Sequence, residues 1–121
     1  MNTYDSVVKY LKSYWELNHE INEYRRLMEG VKAISYSQEA KGTVLAKDMM
    51  LVYMVKIEEA QTKQLEVIRF IEKNFKGIEG AIMSGRYIGN MTLKEIGNMV
   101  NYSKSQVKYR HDKAIYRYLA K

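Results

Sequence analysis

From Tyr4 to about Val31, the apolar residues Val7, Tyr10, Tyr14, Leu17, Ile21, Tyr24, Met28 and Val31 alternate spacings of three and four without a break. That is the seam of one long amphipathic helix. Lys9, Lys12, Glu16, Glu20, Glu23, Arg25 and Arg26 fall off the seam, so the helix must bury its stripe against a partner. Residues 30–43 (GVKAISYSQEAKGT) interrupt the pattern with Gly30, Ser35, Ser37, Gly42 and Thr43, which predicts a loop locally packed by Ile34 and Tyr36. A second seam runs within Val44 to Phe75 through Met50, Met54, Ile57, Gln61, Gln64, Ile68, Ile71 and Phe75. Two seams of nearly equal length predict a long antiparallel helical hairpin. Gln61 and Gln64 leave two readings: a wet layer, or a buried polar layer that fixes register or oligomeric state. Met49, Met50 and Met54 are either core or an adaptable docking surface.

The pattern shortens after Gly77, which is placed to end the second helix as its C′ residue. Ile78, Ile82, Met83 and Tyr87 mark a short helix from Ile78 to about Tyr87, expected to pack on Ile96, Val107, Ala114, Ile115 and Tyr118. Gly89-Asn90 supplies a turn. Two helix starts follow, Thr92-Leu93-Lys94-Glu95 and Ser103-Lys104-Ser105-Gln106, each with a hydroxyl at N-cap and a Glu or Gln at N3. Ile96, Val100, Tyr102 and Val107 are spaced to share a small core, with Gly97 allowing close approach and Asn101 able to take the left-handed conformation of a tight turn. This is the pattern of a helix-turn-helix, whose second helix keeps Lys104, Ser105, Lys108, Tyr109 and His111 away from that core. The expected architecture is therefore all-α, with a hairpin over residues 1–76 for dimerisation or partner docking and a helix-turn-helix module over residues 77–121.

Composition narrows the chemistry. The 121 residues include no Pro and no Cys, so neither a disulfide framework nor a thiolate metal site is possible, and a reducing cytoplasm fits. His19 and His111 do not make a metal site, no Gly-rich phosphate loop is present, and no cofactor is expected. His111 and Asp112 are helix neighbours expected to point about 100° apart and so not to pair, and Glu58-Glu59 read as solvated charges. No catalytic residue is assigned. The N-terminus has no signal-peptide core, and the longest apolar run, Met49 to Val55, falls far short of the roughly 20 residues that span a bilayer. A soluble chain with no membrane partner is expected. The net charge of +6 lies entirely in residues 86–121, which hold eight basic and two acidic side chains, while residues 1–85 balance. A basic patch coincident with a recognition-helix pattern is suited to a polyanion.

Three stretches together carry a family resemblance: Arg86 through Gly97 (RYIGNMTLKEIG), Tyr102 through Val107 (YSKSQV), and Lys113-Ala114-Ile115. They resemble region 4 of sigma factors, and the chain looks most like small phage regulators of the ArpU/RinA type. A long first helix, the segment Val31 to Ser37 and a second long helix extend the likeness upstream. The resemblance implies a sequence-specific, double-stranded-DNA-binding regulator of phage or prophage late genes, working at promoters with host RNA polymerase in the cytoplasm of a bacterial cell, at its nucleoid. By position it assigns Lys104, Ser105 and Tyr109 to base edges and Lys108 to a phosphate. Arg110 departs from it, standing where the motif usually has an apolar residue; either the helix is slightly rotated or the Arg stem covers the core. Tyr109 replaces a residue that is usually polar and flexible.

On this basis Lys94, Ser103, Lys108, Lys113, Arg117 and Lys121 supply phosphate contacts, and the hairpin supplies a homodimer, since one module alone has a small footprint. Tyr116 and Tyr118 read as packing and rim residues. Two other classes share these features: a DNA-packaging protein like a small terminase subunit, and a protein-interaction module in which the helix-turn-helix is only packing.

Overall fold

The computed structural model describes the backbone of residues 1–37 and 40–121 and the side chains of residues 1–33 and 47–121. Among the described residues five helices follow in order: α1 (Tyr4–Ser37), α2 (Ala40–Asn74), α3 (Gly77–Tyr87), α4 (Leu93–Val100) and α5 (Lys104–Leu119). No strand occurs among the described residues, and the two long helices form the expected antiparallel hairpin ahead of the short-helix module. The loop expected at residues 30–43 is helix at every one of its described residues. Residues 30–37 continue α1 and residues 40–43 begin α2, because a helical glycine costs only about 1 kcal/mol relative to Ala, too little to end a long helix. Residues 38–39, and the side chains of Ile34 and Tyr36 to which packing was assigned, lie outside the described residues.

The described residues form two compact units: Met1–Trp15 with Leu65–Lys121, and Glu16–Gln64. The first is built because the open ends of both long helices pack on the module. Val7 and Leu11 of α1, Val67 and Ile71 of α2, Phe75 just past the end of α2, Met83 and Tyr87 of α3, and Ala114 and Ile115 of α5 form one buried cluster. Leu11, off the predicted seam, is fully buried. Here α1 meets two neighbours, α2 and the module, and needs a wider apolar face than a hairpin seam provides. Aromatic rings close this core edge to face, Tyr10 on Phe70 and Phe70 on Tyr118 at centroid distances of 5.2 and 5.1 Å.

In the second unit α1 and α2 are paired through Ile21, Val31 and Ala60, which are buried, and through Tyr24 beside Tyr53. The α2 seam is shifted from expectation. Met50, Ile57, Gln64, Ile71 and Phe75 turn inward or half inward as predicted. Met54 and Gln61 are exposed, and Tyr53 and Ala60 take their inward positions, while Ile68 is half-buried as predicted beside a buried Val67. Gln61 therefore sits in a wet layer rather than a buried polar one, and Met49 and Met54 belong to the surface rather than the core. No described helix is long and apolar enough to cross a membrane.

Candidate nucleic-acid interface

The module is specified residue by residue. At the start of α4, Thr92 Oγ1 accepts from the Glu95 amide at 3.2 Å, while the Thr92 amide donates to Glu95 Oε1 at 2.9 Å. The start of α5 repeats the pattern: Ser103 Oγ accepts from the Gln106 amide at 3.2 Å, and the Ser103 amide donates to Gln106 Oε1 at 2.9 Å. Both capping boxes form as read from the sequence. The bond from the Thr92 amide, the main cause, holds the Glu95 carboxyl below its ordinary pKa. Asn101 ends α4 in the left-handed region at φ 62°, and the Tyr102 amide donates back to the Gly97 carbonyl at 3.0 Å. A Cβ on Gly97 would run into the Tyr102 carbonyl oxygen, so the turn between the two helices closes on the glycine backbone itself. Ile82, Ile96 and Val107 form the small core beneath, flanked by Met91, Leu93, Val100 and Tyr102. Ile78 differs from expectation: at 42 % exposure it stays outside the core that Ile82, Met83 and Tyr87 enter.

Lys104, Ser105, Lys108 and Tyr109 lie exposed on the N-terminal half of α5, and Lys113 lies one turn further along, its ammonium 5.7 Å from the centre of the Tyr109 ring. Lys94 is exposed on α4. Ser103 is exposed, but its hydroxyl is engaged in the cap. Lys108 pairs with Asp112 at 3.2 Å. Arg117 donates from one Nη to both oxygens of Glu79 at 2.6 and 2.7 Å, so it reaches a phosphate only by leaving Glu79. Arg110 is half-buried, with its guanidinium 4.5 Å from the centre of the Tyr102 ring. Its stem and planar head cover the aromatic edge of the small core, which lets an Arg stand at an otherwise apolar position.

His111 does not share that free face. It is 7 % exposed, in line with Val107 and Ile115 one turn to either side, and Tyr87 Oη lies 2.6 Å from its Nε2. Its Nδ1 is 2.9 Å from Asp112 Oδ1, so the two neighbours do pair. The 100° angle at the backbone is overcome because Tyr4 of α1 draws Asp112 inward, donating from its hydroxyl to the same oxygen at 2.6 Å. Burial pushes the His111 pKa down against the opposing pull of Asp112. The imidazole is then neutral near pH 7: Nδ1–H donates to the carboxylate and Nε2 accepts from Tyr87. Burial pushes the Tyr87 hydroxyl up to about 12. For Asp112, burial raises the pKa, but the bonds from Tyr4, His111 and Lys108 outweigh it and the net shift is downward. No buried side-chain polar atom among the described residues lacks a partner.

Sequence reasoning missed this chain of bonds and the anchoring of α1 that goes with it. Tyr4 stacks on Tyr116 at 5.3 Å, and the Trp15 indole N–H donates to the Ile88 carbonyl at 3.2 Å, just past the end of α3. Tyr116 remains 60 % exposed. The available signal was the register of His111, four residues after Val107 and four before Ile115, which is a core spacing. No group of three or more His, Asp or Glu among the described residues is arranged to hold a metal ion.

No curated protein and no solved structure matches the chain. Residues 77–117 match the family model for sigma-70, region 4, and the stretch from α3 to α5 is accordingly a sigma region 4-like helix-turn-helix of the DNA-binding kind.

Proposed function

We propose that this chain is a sequence-specific transcription regulator of phage or prophage late genes, acting at promoters together with host RNA polymerase in the bacterial cytoplasm. The observation that carries the reading is the outer face of α5, where Lys104, Ser105, Lys108 and Tyr109 are all exposed at the end of the helix that enters a major groove in such modules. Lys104, Ser105 and Tyr109 meet base edges, the first two as donors and the ring against a thymine methyl. Lys94, Ser103, Lys108, Lys113 and Arg117 meet phosphates. The DNA-binding role belongs to residues 77–121.

The hairpin of residues 1–76 serves a homodimer. In support, Leu51, Val52, Met54 and Val55 of α2 are between 45 and 61 % exposed, a helical stretch apolar on the face that α1 does not cover. A second copy covers it with the same patch in a twofold contact and brings two modules to paired half-sites.

Mapping bound DNA across the host genome tests the reading: one cluster of phage promoter sites is expected, and uniform coverage would count against it. The double variant Lys104→Ala/Lys108→Ala should lose DNA binding while keeping its helical circular dichroism. Wild-type affinity in that variant would overturn the assignment of α5.

A further inference from the structure

We infer that α1, outside the matched module, extends the DNA interface: Lys12, with Arg86 and Lys108, forms a phosphate-binding hollow on the flank of the recognition helix. The inference rests on the DNA-binding reading of the module and adds a contact that no part of residues 77–117 contains.

The first turns of α1 use two adjacent stripes. Val7 and Leu11 enter the core, while Tyr4, Val8 and Lys12, spaced four apart, wall a hollow of about 170 Å3. Its other walls are Arg86 and Tyr87 of α3, Leu93 of α4, and Lys108 and His111 of α5. Three cationic side chains from three different helices thus converge on one small concavity, and no carboxylate lines it. Asp112, next to His111 in the chain, is taken up by Tyr4, His111 and Lys108. Neither Lys12 nor Arg86 has an ion-pair partner among the described residues. One Nη of Arg86 donates to the Met91 carbonyl at 3.1 Å, which fixes the guanidinium and leaves its other N–H groups for a ligand.

The chemistry selects an oxyanion. Leu93 of α4 adds an apolar wall, the amide end of that helix being already capped by Thr92 and the Glu95 carboxylate, so the attraction comes from the three cations. Lys108 belongs both to the hollow and to the exposed half of α5. A phosphodiester bordering the groove that α5 enters is therefore the occupant, held by Arg86 in a fixed fork and by Lys12 and Lys108 as point charges. The position of Lys12 is not accidental to the surface: Tyr4→Asp112 and Trp15→Ile88 fasten α1 on either side of it.

The test is the salt dependence of binding by the full chain to a mixed-sequence duplex DNA, measured as the slope of log Kobs against log salt. Lys12→Ala should make the slope shallower by about 0.9, one phosphate contact, and weaken binding equally for all sequences. Lys9→Ala, exposed on α1 outside the hollow, should leave slope and affinity unchanged, and both variants should keep the wild-type Tm. A wild-type slope in Lys12→Ala overturns the inference. If that result accompanies loss of binding in Lys104→Ala/Lys108→Ala, the DNA-binding reading stands and only the α1 contact falls. If the wild-type chain binds no duplex DNA, both fall together.

Discussion

The two compact units of this chain spend the same residue types in different ways. In the unit of Met1–Trp15 and Leu65–Lys121, segments of five helices surround shared cores, and Leu11, Ile82, Met83, Ile96, Val107 and Ile115 are fully buried. In the unit of Glu16–Gln64, two helices meet along one seam, and Leu27, Met49, Leu51, Val52, Met54 and Val55 remain exposed. A layer of two helices has one inside; any further apolar stripe faces water until something covers it. The lesson is that a periodic seam predicts pairing but not closure. Closure requires a third element, which the first unit has in its short helices.

The sharpest way to break this contrast is to truncate one leucine in each unit. Leu11→Ala empties a fully enclosed site and should cost about 2–5 kcal/mol. Leu27→Ala, at a position 41 % exposed, should cost under about 0.5 kcal/mol, as expected of surface substitutions. Urea unfolding followed by circular dichroism measures both. Equal losses would mean that Leu27 is buried in solution and that the second unit is closed by something else.

Acid should also separate the units. His111 is the buried histidine among the described residues, and its pKa in the fold lies below the ordinary 6.5. The unfolded chain therefore takes up a proton that the folded chain refuses, and stability present above pH 6.5 is lost as pH falls from there toward the lowered folded value. Asp112 acts in the same sense at lower pH: its carboxylate is stabilised in the fold, so its contribution is present above its ordinary value of 3.8 and is lost as pH falls through the lowered folded value. Thermal melts between pH 7 and pH 5 should show a falling Tm, and the fall should shrink in His111→Gln. A pH-independent Tm over that range would remove the buried neutral imidazole from the account.

The α1 seam and both capping boxes were legible because each rests on local spacing that no distant contact overrides. The α2 seam slipped because alternation of three and four permits either residue of the pairs Tyr53/Met54 and Ala60/Gln61, and only the position of α1 decides between them. Leu11 was missed for a tertiary reason, the third helix layer lying over α1. His111 was misassigned because a polar type was given more weight than its core register, and Asp112 because its orientation is set by Tyr4, 108 residues away in sequence. In the candidate site, the cationic side chains of α5 were legible as a charge pattern. The contribution of α1 was not, since nothing local to Lys12 distinguishes it from Lys9.

The caps, being local, should respond in isolation. Thr92→Ala and Ser103→Ala should each cost about 1 kcal/mol, with Thr92→Ser nearly neutral. Because the two boxes open successive helices joined by the Asn101 turn, the double variant should depart from additivity if that turn moves as one piece, and double-mutant stabilities measure the departure.

A smaller effect than that of the caps is expected where the motif is least regular. Arg110 stands in place of an apolar residue and lies over the Tyr102 ring at 4.5 Å, so what it supplies is cover for an aromatic edge and a weak cation–π contact rather than an ion pair. Arg110→Ala should cost about 0.5–1 kcal/mol, the range of such contacts at exposed sites. Arg110→Leu restores the apolar cover without the charge and should recover most of that loss, while Arg110→Lys keeps the charge without the planar head and should recover less. Tyr102→Leu should abolish the difference between the Arg and Lys forms, because the ring is what the guanidinium recognises. If instead Arg110→Leu lowered DNA affinity with stability unchanged, the guanidinium would be a phosphate ligand, and the basic surface of α5 would extend to the flank opposite Lys12.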